Sequence, residues 1–296
     1  MTSEFPPIHQ TFPIERDVSL EGLYLGENLA AVGAAKSGRS LVFANFLTDK
    51  NGVIATTRPD GVFRVPPETR NRADWRLFQE LMAQADVIIT GAAYLKRAGK
   101  PGKEAQNVLF QFEAGAEYAA LGEWRLERGY PRRSPDLAVV THSPDLEAPT
   151  DVLEAGRRVS VFTTHAAAAS SNSTRLRAAG VSVIGAGEKG VDGNILIDTL
   201  SGMGYRVIQM ATGPRVLGLL LAARRLDRLY ITEAQVELPV SGPDAVRTVL
   251  PQGQDVHTLP GFRLAQSYHQ EGVTSAGGMT ISQDFLRFDL TPSKFA

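Results

Sequence analysis

The stretch RVIQMATGPRVLGLLLAARRLDRLYITEA, from Arg206 to Ala234, constrains this chain more than any other, because it reads as a buried strand, a tight turn, a helix and a second buried strand. Val207, Ile208 and Met210 form a short apolar run. Thr212-Gly213-Pro214 follows at once, with Gly213 suited to cap a helix and Pro214 to its first turn. Val216, Leu219, Leu220, Ala223 and Leu226 then recur at helical spacing. A turn from strand end into helix start leaves backbone N–H groups pointing outward, where an anionic group such as a pyrophosphate is favoured. A plain α/β crossover without a ligand would need the same residues.

The rest of the chain repeats this rhythm. Ser40 to Phe46 is a continuous apolar strand of the kind buried on both faces, ending in Thr48-Asp49-Lys50-Asn51-Gly52, and Val53 to Ala55 resume an apolar run. From Asp74 the residues Leu77, Phe78, Leu81, Met82 and Ala85 fall on one helical face, and strand Asp86 to Thr90 follows directly. Gly91-Ala92-Ala93 closes that strand with small residues, which suits either close approach of a ligand or tight packing. Further strands are expected at Leu137 to Thr141, Val159 to Thr163 and Val181 to Ile184, with helices at Glu117 to Arg128, Thr174 to Ala179 and Asn194 to Met203.

Beyond Pro239 the texture changes, and Gly277-Gly278 marks the turn of an antiparallel hairpin. The expected fold is therefore α/β in three layers, a mostly parallel sheet with helices on both faces and an antiparallel C-terminal edge hairpin. With no linker long enough to divide it, the chain reads as a single domain over residues 1–296, with 1–37 a peripheral extension containing a possible strand at Leu23 to Leu25, and 96–135 an insertion.

Composition narrows the function classes. A formal charge of -1, from 31 basic and 32 acidic residues, gives no footprint for nucleic acid or for a polybasic membrane contact. There is no cysteine, which excludes thiol catalysis, disulfides and thiolate-bound metals. His9, His142, His165, His257 and His269 show no paired ligand spacing, so no metal is expected. No signal segment or membrane-length apolar run is seen, so a cytoplasmic protein is expected.

Gly185-Ala186-Gly187-Glu188-Lys189-Gly190 spells G-x-G-x-x-G after a strand, yet it does not read as the dinucleotide motif of a Rossmann fold. Val191-Asp192-Gly193 intervenes before the helix, Asp192 looks like the N-cap, and the acidic residue expected about 20 positions on is missing near Met210. Arg132 and Arg133 suit either a solvated loop or a clamp for a phosphate.

Three segments in order, ANFLTDKNGVIA, DWRLFQELMAQADVIITGAAYLKR and YRVIQMATGPRVLGLLLAARRLDRLYIT, resemble the reductase domain of riboflavin biosynthesis, the C-terminal domain of the bifunctional deaminase-reductase. The resemblance covers roughly residues 40–240 and implies a dihydrofolate-reductase-like fold, a homodimer, and NADPH-dependent reduction of 5-amino-6-(5-phosphoribosylamino)uracil or a related small molecule. It also implies a stand-alone form, without the deaminase domain. By position, substrate contacts fall on Asn45, Asp49, Asn51 and Ala211. Cofactor contacts fall on Gly91, Ala92, Tyr94, Thr163, Thr164, Thr212, Gly213, Pro214, Arg215 and Val216.

Several of these depart from the family pattern. Serine has become Asp49 and aspartate Asn51; the threonine of G-A-G-T has become Tyr94; the acidic residue four beyond it is Ala98; and the glutamate of E-G-G-P has become Ala211. The scaffold and the turn remain while polar contacts have changed, which implies an altered substrate or, as the alternative, a non-catalytic dinucleotide- or ligand-binding protein on the same fold.

Overall fold

All but one of the apolar runs expected as strands form them, with ends displaced by at most three residues, in a computed structural model that describes residues 5–58, 60–98, 112, 116–239, 242, 245–251 and 253–291. The chain forms two compact units, each discontinuous in sequence. Unit one comprises residues 1–27, 43–78 and 226–296, and unit two residues 28–42 and 79–225.

Unit two carries the parallel part of the fold. Its strands are β6 (Val87–Gly91), β7 (Asp136–Val140), β8 (Val159–Thr163), β9 (Ser182–Gly185) and β10 (Val207–Met210), in the order β10-β6-β7-β8-β9. Every neighbouring pair among them is parallel. Its helices are α1 (Leu29–Ala34), α3 (Ala92–Ala98), α4 (Ala116–Glu127), α5 (Thr150–Glu154), α6 (His165–Ala168), α7 (Ser171–Ala178), α8 (Gly193–Gly202) and α9 (Pro214–Ala222). All four residues of β10 and all five of β8 are buried, as strands covered on both faces require. Helix α2 (Arg72–Gln84) runs from unit one into unit two and buries Leu77, Leu81 and Met82.

Unit one carries the antiparallel part. Here β1 (Ile8–Phe12), β2 (Arg16–Val18), β11 (Arg228–Ala234), β13 (Phe262–Thr274), β14 (Thr280–Leu290) and most of β3 (Leu41–Asp49) lie in the order β2-β1-β13-β14-β11-β3. Among the described residues only β11 and β3 pair in parallel within it. A small second sheet joins β4 (Val53–Thr57), β5 (Phe63–Arg64) and β12 (Val246–Thr248).

The expected C-terminal hairpin is present as β13 and β14, but it is not the outermost element. The N-terminal segment, expected to be peripheral, supplies β1 and β2 outside it, with His9 opposite His269 and Gln10 opposite Tyr268. Leu23 to Leu25, expected as a strand, leads instead into a 3-10 turn over Leu25–Glu27. The helical part of the 96–135 insertion is α4, and residues 99–111 and 113–115 of it lie outside the described residues. No helix among the described residues is long and apolar enough to cross a membrane.

Candidate functional site

The carboxyl ends of the parallel strands in unit two collect most of the residues that the resemblance marks for the cofactor. Met210 is in register with Ile89, so the residues just beyond, Ala211 and Thr212, come level with Thr90 and Gly91. A Cβ placed on Gly91 would lie 3.1 Å from Thr212 Oγ1, so the two chain segments approach closely there and only a very small residue fits without displacing the threonine. Ala211 anchors the turn by donating its N–H to Ile89 O at 2.9 Å.

Helix α9 then begins at Pro214 with Gly213 as its N-cap, and no side chain caps this end. Val216 N–H returns to Gly213 O at 3.2 Å, while Arg215, at the second helical position, is exposed. A Cβ on Gly213 would meet nothing within 4 Å. The first turn of α9 thus presents backbone N–H and a positive dipole end into open space, the arrangement that receives phosphate oxygens.

The G-x-G-x-x-G stretch behaves differently. Asp192 caps α8, its carboxylate accepting from Asn194 N at 2.8 Å and Ile195 N at 3.0 Å. The chain's own carboxylate therefore occupies the place a ligand anion would take. Gly187 has φ +147°, and a Cβ there would fall 2.1 Å from Gly190 O, so the loop is folded on itself. A Cβ on Gly185 would lie 2.6 Å from His165 Nδ1. These glycines permit packing.

Other expected residues prove to be engaged already. Thr163 is fully buried and donates its hydroxyl to His142 O at 3.2 Å. Thr164 caps α6 by accepting from Ala167 N at 3.1 Å, which leaves its hydroxyl hydrogen for another acceptor. Thr90, level with the turn after β10, is buried with Oγ1 unpartnered, a polar atom that sequence reasoning did not single out. Tyr94 and Ala92 lie half-buried in α3, and the side chain of Ala98 is outside the described residues.

The substrate candidates other than Ala211 belong to unit one. Asp49 is fully buried, and its carboxylate accepts from Asn51 N and Val53 N, each at 2.9 Å, and from Leu238 N at 3.2 Å. It organises the turn after β3 and has little capacity left for a ligand. Asn51 is exposed in that turn, and Asn45 is half-buried on β3.

A further residue of unit one, Asp74, was read in the sequence only as a helix start. Asn71, just before α2, accepts Asp74 N–H at 2.9 Å and is itself fixed by Gln283, whose Oε1 takes an Asn71 Nδ2 hydrogen at 2.7 Å. This fixes the first turn of α2 and with it Asp74, whose carboxyl burial pushes up to about 6 despite a hydrogen bond with Thr232 that acts the other way. Thr232 is paired in parallel register with Leu47, and Tyr230 with Asn45. Register partners in a parallel pair face the same way and side chains alternate along a strand, so Asn45 emerges on the face that Asp74 covers.

The family model described as the RibD C-terminal domain matches residues 52–269. No curated protein matches the chain. Among solved structures, a pyrimidine reductase-like protein from Corynebacterium diphtheriae is 22% identical with a TM-score of 0.59, over 93% of this chain and 100% of that one. RibD of Acinetobacter baumannii is 15% identical with a TM-score of 0.56, and here 89% of this chain matches 62% of the longer one. The riboflavin biosynthesis reductase Rib7 of Saccharomyces cerevisiae is 14% identical with a TM-score of 0.55, over 91% and 99%. Likeness at these identities shows the fold, the mixed, dihydrofolate-reductase-like α/β arrangement that the sequence led us to expect.

Proposed function

The chain belongs to the RibD C-terminal domain family, and from that premise we propose that it is a reductase that uses NADPH on a small heterocyclic or sugar-phosphate acceptor, with 5-amino-6-(5-phosphoribosylamino)uracil as the first candidate. The observation that carries this reading is the uncapped first turn of α9 beside Gly91, at the carboxyl ends of parallel strands, where open α/β sheets bind their ligands. The turn from Thr212 to Arg215 would hold the cofactor's phosphates, with Arg215 as a charge partner and Gly91, Ala92 and Tyr94 alongside. NADPH supplies the hydride when bound.

What the protein adds is position and a proton. Reduction of a C=N or C=O bond adds hydride to carbon and a proton to the heteroatom, and a half-buried carboxyl that titrates near neutrality is suited to hold that proton. Asp74 is such a group, on the face from which Asn45 emerges. Titration with NADPH followed by a screen of acceptors for its oxidation tests the whole reading.

Gly213→Val places a side chain in open space and keeps an ordinary φ of -76°, so the fold should survive with its melting temperature nearly unchanged. The branched side chain would stand where the phosphates dock. NADPH affinity is expected to drop by about tenfold or more, the scale of one charge-assisted hydrogen bond. An unaltered dissociation constant in a folded variant would move the cofactor elsewhere.

NADPH is expected over NADH, because the resemblance implies it and because no acidic residue lies near Met210, where a classical fold would bind the adenine ribose hydroxyls and repel a 2′-phosphate. The side chain of Arg97, one candidate partner for that phosphate, lies outside the described residues. Equal dissociation constants for the two cofactors would remove this point. On the same reading the protein is a cytoplasmic homodimer, and light scattering at micromolar concentration should return twice the chain mass.

A second reading, a binding protein without turnover, is favoured by the engaged carboxylate of Asp49 and by Ala211. It predicts tight NADPH binding with no acceptor that consumes it.

A further inference from the structure

The arginines of α4 and the segment after it, which the cofactor reading leaves without a role, meet at the opposite end of unit two. Asp86 and Tyr205 precede β6 and β10, Asp136 opens β7 and Arg158 precedes β8, so these residues mark the amino ends of the parallel strands. Together with Arg125 and Arg132 they line a cavity of about 160 Å³. That is far more than the roughly 10–15 Å³ needed for one water.

The charges around this cavity are unevenly matched. Asp136 is saturated: its Oδ1 accepts from Arg158 N at 2.8 Å, and its Oδ2 from Arg158 Nε and Tyr205 Oη, each at 2.9 Å, with Arg132 Nη1 at 3.5 Å. Asp86 Oδ2 accepts from Arg206 N at 2.7 Å and Val207 N at 2.8 Å. Arg125 is 1% exposed, and it makes its hydrogen bonds to neutral carbonyls: Nη1 to Ala83 O at 2.8 Å and Ala85 O at 2.7 Å, and Nε to Arg132 O at 3.1 Å. Its guanidinium lies 4.3 Å from the centre of the Tyr130 ring. Of five N–H groups, three are engaged and the two on Nη2 remain.

Burial pulls this guanidinium down to about 10, although the carboxylates of Asp86 and Asp136 act the other way. Three arginines face two aspartates across the cavity, an excess of one positive charge. Planar forks of N–H donors around a confined space match the oxygens of phosphate and carboxylate groups.

We propose that this cavity is a second ligand site, for a small oxyanion carried as a phosphate or carboxylate group and held by Arg125, Arg132 and Arg158. It lies at the end of the parallel strands away from the α9 turn, so its occupant is a regulator or a structural ligand and not the hydride acceptor. An anion here would fix the segment after α4 to the starts of β7 and β8, because Arg132 also donates to Gly156 O in the turn before β8.

The test is calorimetric titration of the full chain with inorganic phosphate and, separately, acetate, at matched ionic strength in chloride. Phosphate or acetate should bind saturably at one site, and whichever binds tells phosphate from carboxylate chemistry. Arg125 holds the end of α2, so Arg125→Met risks unfolding. Arg158→Gln is the working variant, since its side chain is 56% exposed. It should weaken the anion ten- to a hundredfold and leave NADPH affinity unchanged, whereas Gly213→Val should leave the anion's affinity unchanged. No saturable binding of either anion, or binding that Arg158→Gln leaves intact, would overturn the proposal. So would binding lost only in Gly213→Val, which would place the anion at the cofactor turn.

Discussion

Asp74→Asn is expected to yield a protein that is more stable at pH 8 and about a hundredfold slower. The stability half follows from linkage. Asp74 has a folded value of about 6 against about 3.9 for an unstructured chain, so the folded state binds the proton more tightly. Its favourable contribution is therefore complete below about pH 4 and is lost as pH rises through 6. Above that, ionising the half-buried carboxyl costs about 1–3 kcal/mol. Asparagine has nothing to ionise and keeps a partner for Thr232. Melting curves of the two proteins should converge near pH 4 and separate by several degrees at pH 8.

The rate half rests on the proton. A positioned acid contributes about 10²- to 10⁴-fold, and an amide cannot replace it. The natural protein should lose turnover as pH rises past 6, and the variant should show no such limb. A variant that is stabilised but turns over normally would make Asp74 a strained helix-start residue and nothing more.

The central crossover was legible because β10 and β11 each gather apolar residues in a short run, Val207, Ile208 and Met210 in one and Leu229 to Ile231 in the other, and α2 because its buried residues recur at helical spacing. The N-terminal strands were not. In β1 one of the two inward residues is Gln10, 3% exposed and held by hydrogen bonds to Arg16 and Phe12, so the alternation that marks a strand is missing from its hydropathy. The hairpin was announced by its glycine turn, but its place inside the sheet depends on β1, which the sequence did not reveal.

The candidate site divides along similar lines. Gly213 and Pro214 act through the backbone, whose conformation those residues dictate, and Asp192 identified the misleading glycine motif from its position alone. Side chains such as Asp49 and Thr163 matched by place, but distant partners decide what a side chain can offer a ligand. Leu238 N–H and His142 O claim these two. Asp74 escaped notice because an acid at a helix start is ordinary until the packing of distant segments strips its solvent and raises its pKa.

Ala211→Glu is expected to raise the specificity constant for 5-amino-6-(5-phosphoribosylamino)uracil by ten- to a hundredfold. Ala211 is 9% exposed at the end of β10, with its N–H tied to Ile89 O, so its Cβ direction is fixed by the sheet and does not depend on a loop. In the resemblance, a glutamate at this place hydrogen-bonds the substrate, and alanine offers no such bond. A charge-assisted hydrogen bond is worth about 1.5–3 kcal/mol, which sets the scale of the gain. The natural protein should accordingly prefer an acceptor that is less polar where it meets this position, because a substrate donor left unpaired in a partly buried site is penalised. The glutamate would reverse that preference, lowering turnover of the favoured acceptor while raising that of the pyrimidine. Thermal melting of the variant guards against a trivial loss, since a carboxylate at a 9% exposed position costs stability if nothing binds it. A natural protein that already reduces the pyrimidine efficiently, and gains nothing from the glutamate, would show that substrate choice is made elsewhere, with Asn45 and Asp74 the next residues to vary.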